Sequence, residues 1–156
     1  MMDQPVAHDD ARLVGQGWSR IRPSRFTTLI GPIWTITVNG RQRYAFIVED
    51  KHDNTTDRAH GGMIMAFCDE ALGLHAHGLK PADRLFTVGF ECQFVNGAKM
   101  GDLVEIEPEI VNGGRSLVFM RGTCKAGERV IATCSGIWKR AGAARGDRTA
   151  QDGNGG

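Results

Sequence analysis

The sequence lacks a long hydrophobic run at its start and a charge excess of either sign, and each absence excludes something. The opening stretch MMDQPVAHDDARLVGQGW carries acids and no apolar segment, so it reads as neither a secretory signal nor a membrane-spanning helix. A cytoplasmic protein with no membrane partner is expected. Nineteen basic against eighteen acidic residues leave a net charge of +1, so no whole-chain field favours nucleic acid or an anionic bilayer, and an anionic ligand must be held locally. Cysteine is scarce. Cys68, Cys92, Cys124 and Cys134 are scattered, without a C-x-x-C pair or a Cys/His spacing that would build a tetrahedral zinc site. No metal is expected, and in a reducing compartment these thiols read as small apolar residues. There is no P-loop, no dinucleotide fingerprint and no internal repeat.

What is present fits one domain. A chain of 156 residues with 41% hydrophobic and 24% charged content is long enough for a real core and too short for two. Residues 1–17 are expected to be a flexible segment, 18–140 the folded domain, and 141–156, with its AGAARGDRTAQDGNGG composition, a disordered tail. Two β-rich runs, Ile33 to Val38 and Gln42 to Val48, flank Asn39-Gly40, the strongest short signal for a tight hairpin. After a polar loop and an apolar helix come four further β-rich runs: Leu85 to Val95, Leu103 to Val111, Ser116 to Cys124 and Val130 to Trp138. Two strands, one long helix and four strands predict an α+β fold in which an antiparallel sheet curls around the helix.

That helix, within HGGMIMAFCDEALGLHAHG (His60 to Gly78), is apolar on nearly every side, so part of it should pack beyond its own sheet, most simply on a second copy of the chain. Its charges are Asp69 and Glu70, side by side and about 100° apart around the axis, which predicts different surroundings for the two. Asp is a poor interior helix residue because its short side chain competes for backbone hydrogen bonds. Asp69 is therefore the odder choice and reads either as a salt-bridged interface residue or as a functional one, whereas Glu70 reads as structural. The glycines before the helix admit two readings as well. Gly61 and Gly62 are either simple punctuation or a place where unpaired first-turn N–H groups meet an anion or a developing oxyanion.

Taken in order, these pieces resemble the hotdog-fold acyl-CoA thioesterases, in particular their phenylacetate-pathway (PaaI-like) branch. The resemblance runs from about Phe26 to Trp138 and rests on the Asn54 to His60 spacing, HGG at 60–62, and Asp69 nine residues after His60. It continues through FTVGFECQFVNGAKMGD and NGGRSLVFMRGTCKAGERVIATCSGIWK. The resemblance implies a long central helix wrapped by a curved antiparallel sheet, a homodimer as minimal unit and often a homotetramer (a dimer of dimers), with active sites between subunits and no cofactor. It also implies that Asp69 is the nucleophile or general base on an acyl-CoA thioester, that the Gly61 backbone N–H polarises the carbonyl, and that Asn54 helps place thioester or water. Thr87 matches a Ser/Thr that helps hold the attacking water. The family usually carries a glycine three residues before the histidine. This chain has Asp57 there, a further negative charge near a site for an anionic ester.

One geometric point is independent of the resemblance. Gly61 and Asp69 are eight residues apart, about 12 Å of helical rise, whereas a nucleophile and an oxyanion donor must both lie about 3 Å from one carbonyl. Two helices paired antiparallel would bring Asp69 of one chain to Gly61 of another. His60 is read as packing and hydrogen bonding at the helix start, although a catalytic base is its other reading. His75 and His77 are assigned to the helix C-terminus, and Cys68 to inert core. For the CoA phosphates the sequence offers Gly62, the turn Asn96-Gly97-Ala98-Lys99 and the pair Gly114-Arg115, each also readable as solvated turn. Met63, Met65, Phe67, Phe90 and Phe94 are the expected pocket lining. Two alternatives remain: a non-catalytic acyl-CoA-binding protein, and a hotdog enoyl-CoA hydratase, for which DEALGLH has the wrong spacing and no Asn-Pro pair.

Overall fold

The structure is a computed structural model that describes residues 6–142. The expected order is present, with additions at the front. Asn39 and Gly40, with φ of 51° and 77°, make the hairpin between β2 (Trp34–Val38) and β3 (Arg41–Ile47), as the positive-φ requirement of such a turn predicts. Helix α3 (Gly61–Gly78) follows, then β4 (Arg84–Phe94), β5 (Leu103–Ile106), β6 (Glu109–Gly113), β7 (Leu117–Ala126) and β8 (Arg129–Ala141). The single run expected over Leu103 to Val111 is split by Pro108, which lacks the N–H a continuous ladder needs. Both halves still pair with β7.

The strands form one antiparallel sheet in the order β1-β2-β3-β5-β7-β8-β4, with β6 beside β7. β1 is the short pair Ser19–Arg20. Helix α3 packs on one face of the sheet, against β3, β4, β7 and β8. Period-two alternation sends Tyr44 and Phe46 of β3 to that face, where Phe46 meets Phe67 of the helix at a ring separation of 4.7 Å. Leu72, Val104, Ile106, Val118, Met120 and Ile131 complete this core.

Ala45 and Ile47 point to the opposite face and join Trp34, Trp18 and Leu13 in a second, smaller core. Leu13 belongs to α1 (Val6–Gly15) and is fully buried. The N-terminal segment expected to be flexible is therefore helical from Val6 onward. The part of that expectation covering residues 1–5 lies outside the described residues, as does the tail expected from 141 beyond Gly142. A second helix, α2 (Arg25–Ile30), starts at a capping box in which Ser24 and Thr27 satisfy each other's backbone N–H groups. Its last carbonyl, on Ile30, lies 2.8 Å from Nε2 of the buried His52, whose Nδ1 accepts from the Glu49 N–H at 3.0 Å. With Nδ1 accepting, the ring is the tautomer whose Nε2–H donates to Ile30. The His52 carbonyl in turn accepts from the His60 N–H at 2.7 Å. One buried imidazole thus links α2 to the loop that delivers α3.

Candidate active site

Helix α3 is continuous, so Gly61 in its first turn and Asp69 in its third sit well apart along one rod. At the start, the His60 ring caps the helix, its Nδ1 accepting the Gly62 N–H at 2.9 Å. Gly62 therefore has its donor engaged. The Gly61 N–H meets no protein acceptor among the described residues, so it keeps the free, dipole-assisted donor character of a helix N-terminus. Beside it opens a cleft of about 260 Å³ lined by Ala59, Ile64, Phe94, Asn96 and Gly97. Arg58 lies against Gly97, and backbone bridging joins Arg58 to Lys99.

At the other place, Asp69 Oδ1 accepts from the Thr87 hydroxyl at 3.0 Å. Both residues line a second cleft of about 250 Å³ with Glu70, Gly73, Leu74, His77, Leu85 and Trp138. Partial burial raises the Asp69 pKa and the Thr87 hydrogen bond works in the opposite direction. Glu70 is raised by burial first and by its neighbour's charge second. Two carboxyls biased toward holding protons, one of them oriented by a hydroxyl, give a base or nucleophile that ionises later than an exposed aspartate does.

The sequence model of the thioesterase superfamily matches residues 57–133, a span that contains both Gly61 and Asp69. A Pseudomonas aeruginosa protein named as an esterase, PA0474, is 30% identical over 119 residues, which is 75% of this chain and 89% of that protein. This chain belongs to the thioesterase superfamily. Solved structures of the same fold include the phenylacetic acid degradation protein PaaI from Thermus thermophilus, with a TM-score of 0.66, 20% identity, and 76% of this chain and 100% of that one covered. Another is a hypothetical thioesterase from Streptococcus pneumoniae with coenzyme A, at a TM-score of 0.63, 20% identity, and coverage of 71% and 87%. The thioesterase is thus a thioester hydrolase in a hotdog fold.

The thioesterase brings some of its expected site residues together and keeps others apart. Thr87 is hydrogen-bonded to Asp69. Glu70 was expected to sit in different surroundings from Asp69, yet it lines the same cleft. The 100° between their Cα positions does not prevent two side chains on an open helix face from reaching one hollow. Asn54 is at the far end of α3 from Asp69, in the loop before His60, with its Oδ1 accepting from the backbone and hydroxyl of Thr56 at 2.9 and 2.6 Å. In that loop Asp57 has φ of 55° and Thr55 has φ of 74°. Asp57 therefore occupies the left-handed conformation that favours glycine and that Asp tolerates better than most residues.

Asn96 and Gly97 share the Gly61 cleft, where Asn96 Nδ2 donates to the Val130 carbonyl at 2.8 Å. The Lys99 N–H donates to Asp102 at 2.7 Å. Gly114 and the exposed Arg115 lie in the β6–β7 turn, beside the strand end where Leu117 pairs with Lys139. Of the expected pocket lining, Met63 and Phe67 are core residues, Phe90 packs edge-on against Trp138, and Met65 and Phe94 are exposed. Cys68 is fully buried and its thiol pKa is raised, and burial pushes Cys92 up to about 11, so neither offers a thiolate near neutral pH. A concavity of about 950 Å³ lies on the outer sheet face among the Arg43–Glu107 and Arg121–Glu109 ion pairs. It contains neither Asp69 nor Gly61. Gly73, Leu85 and Trp138 escaped the sequence reading because only the fold brings them to Asp69.

Proposed function

We propose that this thioesterase hydrolyses acyl-CoA at a composite site between two chains, with Asp69 of one and the Gly61 N–H of the other acting on the same thioester. The observation that carries the proposal is the separation of the two groups along α3, an oriented carboxylate at one place and a free helix-start donor about 12 Å away. Neither can serve the other's carbonyl within one chain.

Strand β4 supports the pairing. It is the last strand of the sheet, and the outer edge of its eleven residues pairs with no strand among the described residues. Phe86, Val88 and Phe94 are each more than half exposed along it, at 53%, 56% and 54%. A long apolar edge is a liability unless another strand covers it. Phe94 lies against Gly61, and Thr87 lies against Asp69. A two-fold axis near the middle of β4 therefore carries the Gly61 end of each chain toward the Asp69 end of its partner.

In that arrangement the Gly61 N–H and the dipole of α3 polarise the thioester carbonyl and hold the negative charge that develops on its oxygen. Asp69 then either adds to the carbonyl carbon, expelling CoA thiolate and leaving an anhydride for water to open, or takes a proton from the water that adds. Thr87, donating to Oδ1, leaves Oδ2 for that step. Arg58 and Lys99, close to Gly97, and Arg115, near the Thr87 end, are the cations available to the CoA phosphates. The coenzyme A in the Streptococcus pneumoniae structure supports a CoA ester as the substrate class. A homotetramer would require a contact face other than β4.

A thiol-release assay over a panel of acyl-CoAs tests the reading. Free CoA appears with wild type, and kcat falls by at least ~100-fold in Asp69→Asn. Tight binding without thiol release would instead make the chain a non-catalytic acyl-CoA binder, and hydration of a crotonyl ester without release would make it a hydratase.

A further inference from the structure

Beside α1 a cleft of about 470 Å³ opens between that helix, the ends of β2 and β3, and the turn at Met100-Gly101. None of its lining residues borders the Asp69 cleft or the Gly61 cleft. Trp34, Ile47, Val48 and Met100 give it apolar walls. Trp34 is 1% exposed, and its Nε1 is a buried donor with no acceptor among the described residues. Arg20 covers one face of the indole at 5.1 Å and is itself held by Asp10. Trp34 thus lines the cleft with its donor unspent. A buried donor left unpaired is costly, and an acceptor brought in through the cleft relieves the cost. A lone water answers poorly, since it needs two to four polar partners and the side chains walling the cleft here are apolar. An organic acceptor brings an apolar body to those walls.

Charge narrows the kind of molecule. Asp9 pairs with Arg12 at 3.5 Å, Asp10 with Arg20, and Glu49 with Lys51 at 3.0 Å. Asp50, which also lines the cleft and begins the 3-10 turn Asp50–His52, has no ion pair among the described residues. One carboxylate is left over. It attracts a single positive charge and repels anions, so acyl-CoA and both products of its hydrolysis are disfavoured here.

We propose that this cleft is a second binding site, for a small organic monocation: an amine on an apolar body that also carries a neutral oxygen acceptor. The oxygen meets the Trp34 N–H, the body lies on Ile47, Val48 and Met100, and the ammonium faces Asp50. The site shares no residue with the composite active site and stands independently of it.

The test uses the full-length protein and four matched probes, each as its meta and para isomers. (Aminomethyl)acetophenone carries ammonium, ring and ketone. (Hydroxymethyl)acetophenone lacks the charge, isopropylbenzylamine lacks the ketone, and acetylbenzoate is the anion. Calorimetry and melting curves read binding, and the indole N–H resonances of protein carrying isotopically labelled tryptophan read its place. In at least one isomer series the amino ketone is expected to bind ~10-fold more tightly than the alcohol and than the ketone-free amine, and to raise Tm. It should also shift one indole N–H resonance, the one missing from Trp34→Phe, and acetylbenzoate should not bind. Asp50→Asn is expected to bring the preference for amine over alcohol to about 1, Trp34→Phe the preference for ketone over isopropyl to about 1, and Asp69→Asn to change neither. If Trp34→Phe fails to fold, as a melting curve would reveal, Asp50→Asn and Asp69→Asn decide. Equal binding or no binding of the four probes, with every indole signal unmoved, overturns the inference and leaves the Trp34 N–H to water. Amine binding that Asp69→Asn abolishes and Asp50→Asn spares also overturns it, because the amine then sits in the Asp69 cleft. A preference for acetylbenzoate does the same.

Discussion

Replacing Thr87 by valine keeps the β-branched shape of the strand and removes one hydroxyl, the donor 3.0 Å from Asp69 Oδ1. Hydrogen bonds to charged groups contribute about 1.5–3 kcal/mol when well buried. Asp69 is only half-buried, so about 1 kcal/mol is the appropriate scale, equivalent to about a fivefold loss of rate. The pH profile carries a second, signed consequence. The Thr87 bond lowers the Asp69 pKa against the burial that raises it, so removing the hydroxyl leaves burial unopposed. Asp69 must be ionised to act, and the acid limb of kcat/KM should therefore move to higher pH in Thr87→Val and stay in place in Thr87→Ser. The assay is thiol release across the acid range at saturating and limiting acyl-CoA, with melting curves to confirm the fold. An acid limb that moves down, or a valine variant indistinguishable from wild type in both rate and profile, would refute the role given to this hydrogen bond.

Other perturbations follow from the same geometry. Asp69→Asn should raise the melting temperature at neutral pH while abolishing most activity. A carboxyl whose folded pKa is raised destabilises the fold wherever it is ionised, so the gain should shrink as pH falls through the range where Asp69 takes up its proton. His52→Ala removes partners from the Ile30 carbonyl and the Glu49 N–H and leaves a hollow beside Phe46. A loss of roughly 3 kcal/mol is expected by denaturant titration. Burial lowers the His52 pKa, so wild-type stability should fall as pH drops below the ordinary histidine value, and the alanine variant should lack that component. Gly61→Pro suits a first helical position, and His60 already has the extended backbone that precedes proline, with φ of −59° and ψ of 139°. It removes the N–H proposed to face the carbonyl and adds a ring whose Cβ would lie 3.2 Å from Cζ of the exposed Phe94 side chain, which has room to shift, so kcat should fall by ~100-fold or more, with a melting curve confirming the fold.

Several parts of this molecule are plain in its sequence. Asn39-Gly40 can hardly be anything except a tight hairpin, and the alternation on either side places the strands. The apolar length from Met63 to Leu74 requires a buried helix. Helix α1 escaped because its charged composition masks the few side chains that matter, of which Leu13 is buried only once Trp18, Trp34 and Ile47 assemble around it. Glu70 shows the limit of helical-wheel reasoning, since azimuth separates it from Asp69 and side-chain reach brings both to one cleft. Asp69 and Gly61 were singled out by family resemblance and helical rise, and the fold places each beside a separate cleft. Gly73, Leu85 and Trp138 were not, because a glycine in a helix and a tryptophan at a strand end acquire meaning only when β8 is laid beside β4.

The composite site is tested most directly by complementation. Asp69→Asn and Gly61→Pro chains, co-expressed with different tags and purified as the mixed species, contain one pairing of an intact carboxylate with an intact partner N–H. About half of the wild-type activity per dimer should return in this mixture of two disabled chains, since two-fold symmetry gives one restored site of two. A mixed dimer no more active than its parents would place both groups in the same chain's site and contradict the account.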